Sequence, residues 1–82
     1  MAIKLTAPCN VGDTVYSPIV DKDEGNFIEP LIVNGLMWNG KHWFIMNDGY
    51  PFEIGVDVYI DYAEAEAVLA GGGQRRVGTT FN

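Results

Sequence analysis

Four groups of residues in this chain are of types that can do chemistry: Cys9, His42, the acidic run Asp21, Asp23 and Glu24, and the glycines Gly71, Gly72 and Gly73. Cysteine–histidine catalysis needs the thiol beside the imidazole, with an acid behind it. His42 is the single histidine and sits in Lys41-His42-Trp43, while Cys9 lies far away in turn-forming sequence with no nucleophile motif around it. One cysteine and one histidine do not make a usual structural zinc site. The acidic run has the composition of a calcium loop. Its next oxygen ligand and its glycine come in the wrong order, however, and no glutamate stands at the twelfth position. A solvated acidic turn is the expectation. The glycine run lacks the Lys-Ser/Thr of a phosphate loop and follows a predicted helix instead of preceding one. The sequence therefore predicts no catalytic residue, no metal and no cofactor: a binding protein, not an enzyme.

The binding residues are sought in the hairpin around Asn39-Gly40. Asn-Gly between two apolar runs is a strong hairpin signal, because a type I′ turn needs positive φ at both central residues. A two-residue turn there pairs Trp38 with Lys41, Met37 with His42, Leu36 with Trp43, Gly35 with Phe44, Asn34 with Ile45 and Val33 with Met46. Alternation then puts Leu36, Trp38, Trp43 and Ile45 on one face, and Leu31, Val33, Met37, Phe44 and Met46 on the other. Both faces are apolar, whereas a half-exposed antiparallel hairpin normally shows one polar face. The expectation is that Val33, Phe44 and Met46 enter the core. Leu36, Trp38 and Trp43 are then left as a binding patch, unless the terminal helix covers them. Tyr50 and Tyr62 are candidates to extend the patch, and the acidic loop Asp21, Asp23 and Glu24 is a second candidate surface.

The elements that would position these groups are short. Thr14-Val15-Tyr16-Ser17 alternates as a strand does, and Pro18 is expected to interrupt or edge it. Residues 27–38 form a long extended segment broken by Pro30 and Gly35. Residues 41–47 form the return strand, and Asn47-Asp48-Gly49 marks another turn. Residues 50–54 and 56–60 are two further short strands around Gly55. Asp61 is placed as a helix N-cap, with Glu64 at the capping-box position. Tyr62, Ala65, Val68 and Leu69 share one helical stripe, and the glycines stop the helix. The fold class is mainly β: a small, bent, antiparallel SH3-like barrel of about five strands over residues 1–70, with one short C-terminal helix. Residues 71–82 are expected to be a Gly-rich flexible tail, in which residues 76–81 become a strand on finding a sheet edge.

Bulk composition sets limits on this reading. Eighty-two residues make one domain, and 48% hydrophobic and 12% aromatic residues supply a core and argue against disorder. A single cysteine allows no intramolecular disulfide. No signal-peptide pattern and no run near ~20 apolar residues is present, so a cytoplasmic protein is expected. Net charge is −6 overall, and through Ala70 three basic residues face eleven acidic ones, a balance of −8. Such a body repels phosphate backbones and attracts basic protein surfaces. Arg75 and Arg76 stand apart in the tail.

Three runs carry a resemblance: Val11-Gly12-Asp13-Thr14-Val15-Tyr16, Phe52-Glu53-Ile54-Gly55-Val56-Asp57-Val58-Tyr59, and Asp61 through Ala63-Glu64-Ala65-Glu66-Ala67-Val68-Leu69. In them the chain resembles small uncharacterised SH3-like-barrel proteins of phages, prophages and mobile elements of Gram-positive bacteria. The likeness spans roughly residues 11–70 as a skeleton. It implies a phage-type origin, with the host cytoplasm as the place of action, and no catalytic residues. The first functional expectation is a module that binds a host or phage protein, in its most concrete form an inhibitor of a bacterial defence system. The alternatives are a small-molecule binder that sequesters a nucleotide signal, and a phage structural or homo-oligomeric protein. Direct contact with nucleic acid or membrane is not expected.

Overall fold

The computed structural model describes residues 5–71. In chain order it contains β1 (Thr14–Asp21), β2 (Gly25–Ile32), β3 (Gly35–Trp38), β4 (Trp43–Asn47), β5 (Tyr50–Glu53) and α1 (Tyr62–Ala70). The strands form two antiparallel sheets, β1-β2 and β3-β4-β5, and do not close into a barrel. The expected mainly-β class and the helix after Asp61 are present; the strands number five, but the segment 27–38 expected as one extended run divides into β2 and β3, which lie in different sheets.

β1 and β2 pair along their whole length, from Thr14 opposite Ile32 to Asp21 opposite Gly25. Pro18 was expected to break or edge β1, yet the strand runs through it. The reason lies in the hydrogen-bond phase. Tyr16 exchanges both backbone bonds with Tyr59, at 2.9 and 2.8 Å, so its N–H points away from β2. Pro18, two residues on, has its nitrogen on that same outer side, and Pro30 is the residue opposite Tyr16. Neither proline removes a bond between β1 and β2.

The second sheet departs from the expected register by two residues. Trp38 pairs with Trp43, Met37 with Phe44, Leu36 with Ile45 and Gly35 with Met46. The loop is four residues long because the Asn39 carbonyl oxygen Oδ1 accepts the backbone N–H groups of Lys41 and His42, at 2.9 and 2.8 Å. Gly40 has φ 99°, but Asn39 is not in the left-handed region, so this is not a type I′ turn. The turn with positive φ at both central residues is Asp48-Gly49, at 50° and 83°, which closes β4 onto β5 with Asn47 opposite Tyr50. Two asparagines tie that corner to the end of β2 and to the link that follows it: Asn47 Nδ2 donates to the Ile32 carbonyl at 2.9 Å, and Asp48 N–H donates to Asn34 Oδ1 at 2.9 Å.

Residues 56–60 do not make the expected strand. The Glu53 carbonyl accepts N–H bonds from Val56, Asp57 and Val58, and the Asp57 carboxylate accepts from Glu53 N–H at 3.0 Å. The segment therefore folds into a tight turn at Gly55, φ 92°, with isolated bridges that join Tyr59 to Tyr16 and Val58 to Ile54. Asp61 does stand at the N-cap in extended conformation, but its side chain makes no capping bond, so the anticipated capping box is absent. Gly71 ends the helix in right-handed conformation, its N–H bonded to the Ala67 carbonyl at 3.0 Å. The rest of the anticipated tail, with Arg75, Arg76 and the conditional strand at 76–81, lies outside the described residues.

The core sits between the two sheets: Val15, Leu31, Val33, Ile45, Val58 and Cys9, with Leu36, Phe52, Ile54 and Ile60 packed against it. The inward face of β3–β5 is thus the one bearing Leu36, Ile45 and Phe52. That reverses the expected choice for Phe44 and Met46, while Val33 is buried as expected. Helix α1 packs against β1 and, less, β2, with Tyr62 edge-on to Tyr16 at a ring distance of 5.4 Å. It makes no comparable contact with β3, β4 or β5 and does not cover the hairpin.

Candidate functional site

The outward face of the three-stranded sheet follows from its register. Phe44 stands between Met37 and Glu53, and Met46 between Gly35 and Pro51. Alternation puts all six on one side, with His42 extending the row past β4. Met37 is 41% exposed and Pro51 is exposed, while Phe44 and Met46 are half-buried, shielded by their neighbours in the sheet. His42 Nδ1 lies 3.4 Å from Glu53 Oε2, a contact at the margin of this face. An antiparallel sheet that ends a domain normally turns polar side chains to water. Here the middle of the outer face is methionine, phenylalanine and proline.

The residues singled out in the sequence are distributed differently. Leu36 packs on the core and is not part of an exposed patch. Trp38 and Trp43 do meet: they face each other across β3 and β4 with ring centroids 5.4 Å apart and planes tilted by 48°. They lie on the inward side at the end of the sheet, where Trp38 stays 36% exposed and Trp43 is half-buried. Tyr50 shares that side but stands by the Asp48-Gly49 turn, at the other end of β4, roughly 13 Å along the strand from Trp43. It does not join the tryptophans. Tyr62 is spent on Tyr16.

The acidic loop is separate again, at the tip of the β1–β2 hairpin. Asp21 Oδ1 accepts the N–H groups of Asp23 and Glu24 at 2.8 and 3.0 Å, so this carboxylate organises the turn. Among the described residues no group of three or more His, Cys, Asp or Glu side chains is placed to hold a metal ion.

Sequence reading missed Met37, Phe44, Met46 and Pro51 as surface residues. The usable signal was the double apolar face of the hairpin; the direction of the core was misjudged.

Cys9 lies in the core with a free thiol. Burial pushes that thiol above its ordinary value near 9.0, and the Asp13 carboxylate adds to the effect. A protonated, buried thiol is a poor nucleophile. In native protein at pH 8, Cys9 should react with an aromatic disulfide reagent on the order of 100-fold more slowly than in denaturant. The folded state holds the proton more tightly than the unfolded chain. The contribution to stability is therefore intact below the unfolded thiol's pKa and is lost as pH rises through the folded one. Rapid labelling of native protein, or stability that rises above pH 9, would contradict this placement.

Fold and site together define a small mainly-β domain with an apolar outer sheet face that helix α1 does not cover. No protein family, no curated protein and no solved structure matches the chain. No helix among the described residues is long and apolar enough to cross a membrane.

Proposed function

We propose that this chain is a non-catalytic binding module that acts by protein–protein contact through the outward face of β3–β5. The observation that carries the reading is the Met37, Phe44, Met46 and Pro51 surface, which the terminal helix leaves uncovered. Contiguous apolar surface on a small domain marks interaction sites, and methionine and aromatic residues are enriched at interface centres. The finer fold reading is an SH3-like arrangement. Its support is the connection order: one long hairpin, a three-strand meander, then a tight turn that returns Tyr59 to β1. A phage or mobile-element origin, action in a host cytoplasm and inhibition of a bacterial defence protein complete the proposal. The acidic body suits that role, because a negative surface competes for proteins that hold nucleic acid.

Site-specific photocrosslinking in the host cell tests the contact. A photoreactive residue at Met37 should trap one discrete protein, and the same residue at Val11, exposed but off the face, should not. Met37→Lys combined with the crosslinker at Pro51 should abolish the adduct while the melting temperature barely moves. An identical adduct pattern from Val11, or none from either site, would end this reading.

A further inference from the structure

Each strand of an antiparallel sheet turns its N–H and C=O groups alternately to its two neighbours, so an edge strand leaves every second pair unmatched. This fold has four strand edges, and three are obstructed. On β1 the outward groups of Tyr16 are bonded to Tyr59, and Pro18 has no N–H. On β2 the outward row contains Pro30, and the Ile32 carbonyl accepts Asn47 Nδ2. On β5 Pro51 is outward, Glu53 N–H is held by Asp57, and the Glu53 carbonyl is occupied by the turn that follows.

β3 differs. Asn39 N–H donates to the His42 carbonyl at 3.2 Å, which fixes the phase of this hairpin. Gly35 and Met37 therefore face β4, and Leu36 and Trp38 direct their backbone groups out of the sheet. No described residue pairs with them. Exposed side chains flank the row on both sides: Met37 on the outer face and Trp38 on the inner one.

We propose that β3 is a strand-addition edge, and that its occupant is an extended segment of a basic protein. The proposal rests on the protein-binding reading above and specifies its mode. Charge selects the occupant. The described residues carry eleven carboxylates against Lys22 and Lys41, a balance of −9. A second copy, a nucleic acid or an anionic membrane meets like charge at long range; a Lys- and Arg-rich segment is drawn in. An added strand bonds to Leu36 and Trp38 and lays alternate side chains beside Met37 and Trp38.

The probe is a synthetic heptapeptide, Lys-Val-Arg-Phe-Lys-Val-Arg, titrated at low salt into isotope-labelled protein. Two N-methylated forms, each blocking one edge of the peptide, and an acidic form with Glu for Lys and Arg complete the set. Binding should slow amide exchange at Leu36 and Trp38 by about tenfold or more. One N-methylated form should bind at least about tenfold more weakly than the other, and the acidic form should not bind. Equal binding by both methylated forms, with shifts confined to Met37 and Phe44, would refute the edge while leaving protein binding intact. Shifts at Asn26 and Ile28 would move the edge to β2 and overturn the assignment to β3. Concentration-dependent self-association that protects Leu36 and Trp38 would overturn the choice of occupant. No perturbation at millimolar peptide would also refute the proposal, and the Met37 crosslink then decides separately whether the chain binds proteins at all.

Discussion

Truncating Ile45 to alanine will remove about 3–4 kcal/mol of folding stability, the usual cost of emptying a fully buried isoleucine site. Ile45 is 0% exposed, lies on the middle strand of the three-stranded sheet, and has Leu36 on one side and Phe52 on the other. Its side chain enters the cluster of Val15, Leu31, Val33 and Val58 that joins the sheets. A domain of this size holds roughly 4–12 kcal/mol in total, so the loss is about a quarter of it or more. The melting temperature should fall by roughly 12–30 °C. Phe44→Ala is the matched control. It sits one residue away on the opposite face and is only half-buried, so about 1–2 kcal/mol is expected despite the larger side chain. If Phe44→Ala proves the costlier change, the sheet is turned the other way round and the outer face proposed for binding does not exist.

That comparison marks where the sequence stopped being informative. Alternation along 36–38 and 43–46 is local and readable, and a register slip of two residues leaves the facing of every side chain unchanged. Which face meets the core is decided by β1 and β2, through Val15 and Leu31, and no property of the hairpin announces that. With apolar residues on both faces, the two orientations were nearly equivalent in pattern. The turn at Asn39-Gly40 was mistyped for a related reason, while the turn at Asp48-Gly49 is where it was expected. Asn39-Gly40 and Asp48-Gly49 both have type I′ composition, but Asn39 spends its side-chain oxygen on Lys41 and His42, while the Asp48 amide is held from a distance by Asn34. The apolar alternation of 56–60 resembled a strand until the Glu53 carbonyl drew three amides into a turn. The helix was legible because its signals are local: an extended Asp61, an alanine-rich run and a glycine at the end.

Trp43→Ala should cost about 2–3 kcal/mol and Trp38→Ala about 1 kcal/mol, below the 3–5 kcal/mol of fully buried tryptophans because both keep some contact with water. The ordering follows from exposure, since Trp38 is 36% exposed and Trp43 half-buried. The two are not independent. They occupy a non-hydrogen-bonded pair, the position where opposing Cα atoms come closest, and their ring centroids are 5.4 Å apart. Aromatic pairs of this kind add about 0.5–1.5 kcal/mol beyond the area they bury. The double variant should therefore be more stable than the sum of the two losses implies, by a coupling of that size. Fluorescence offers an independent check: Trp43→Phe leaves the more exposed indole and should emit further to the red than Trp38→Phe. Strictly additive losses would show that the rings do not interact, and a larger loss at Trp38 would place it in the core. The second result would leave no exposed Trp38 ring to meet an incoming strand at the β3 edge.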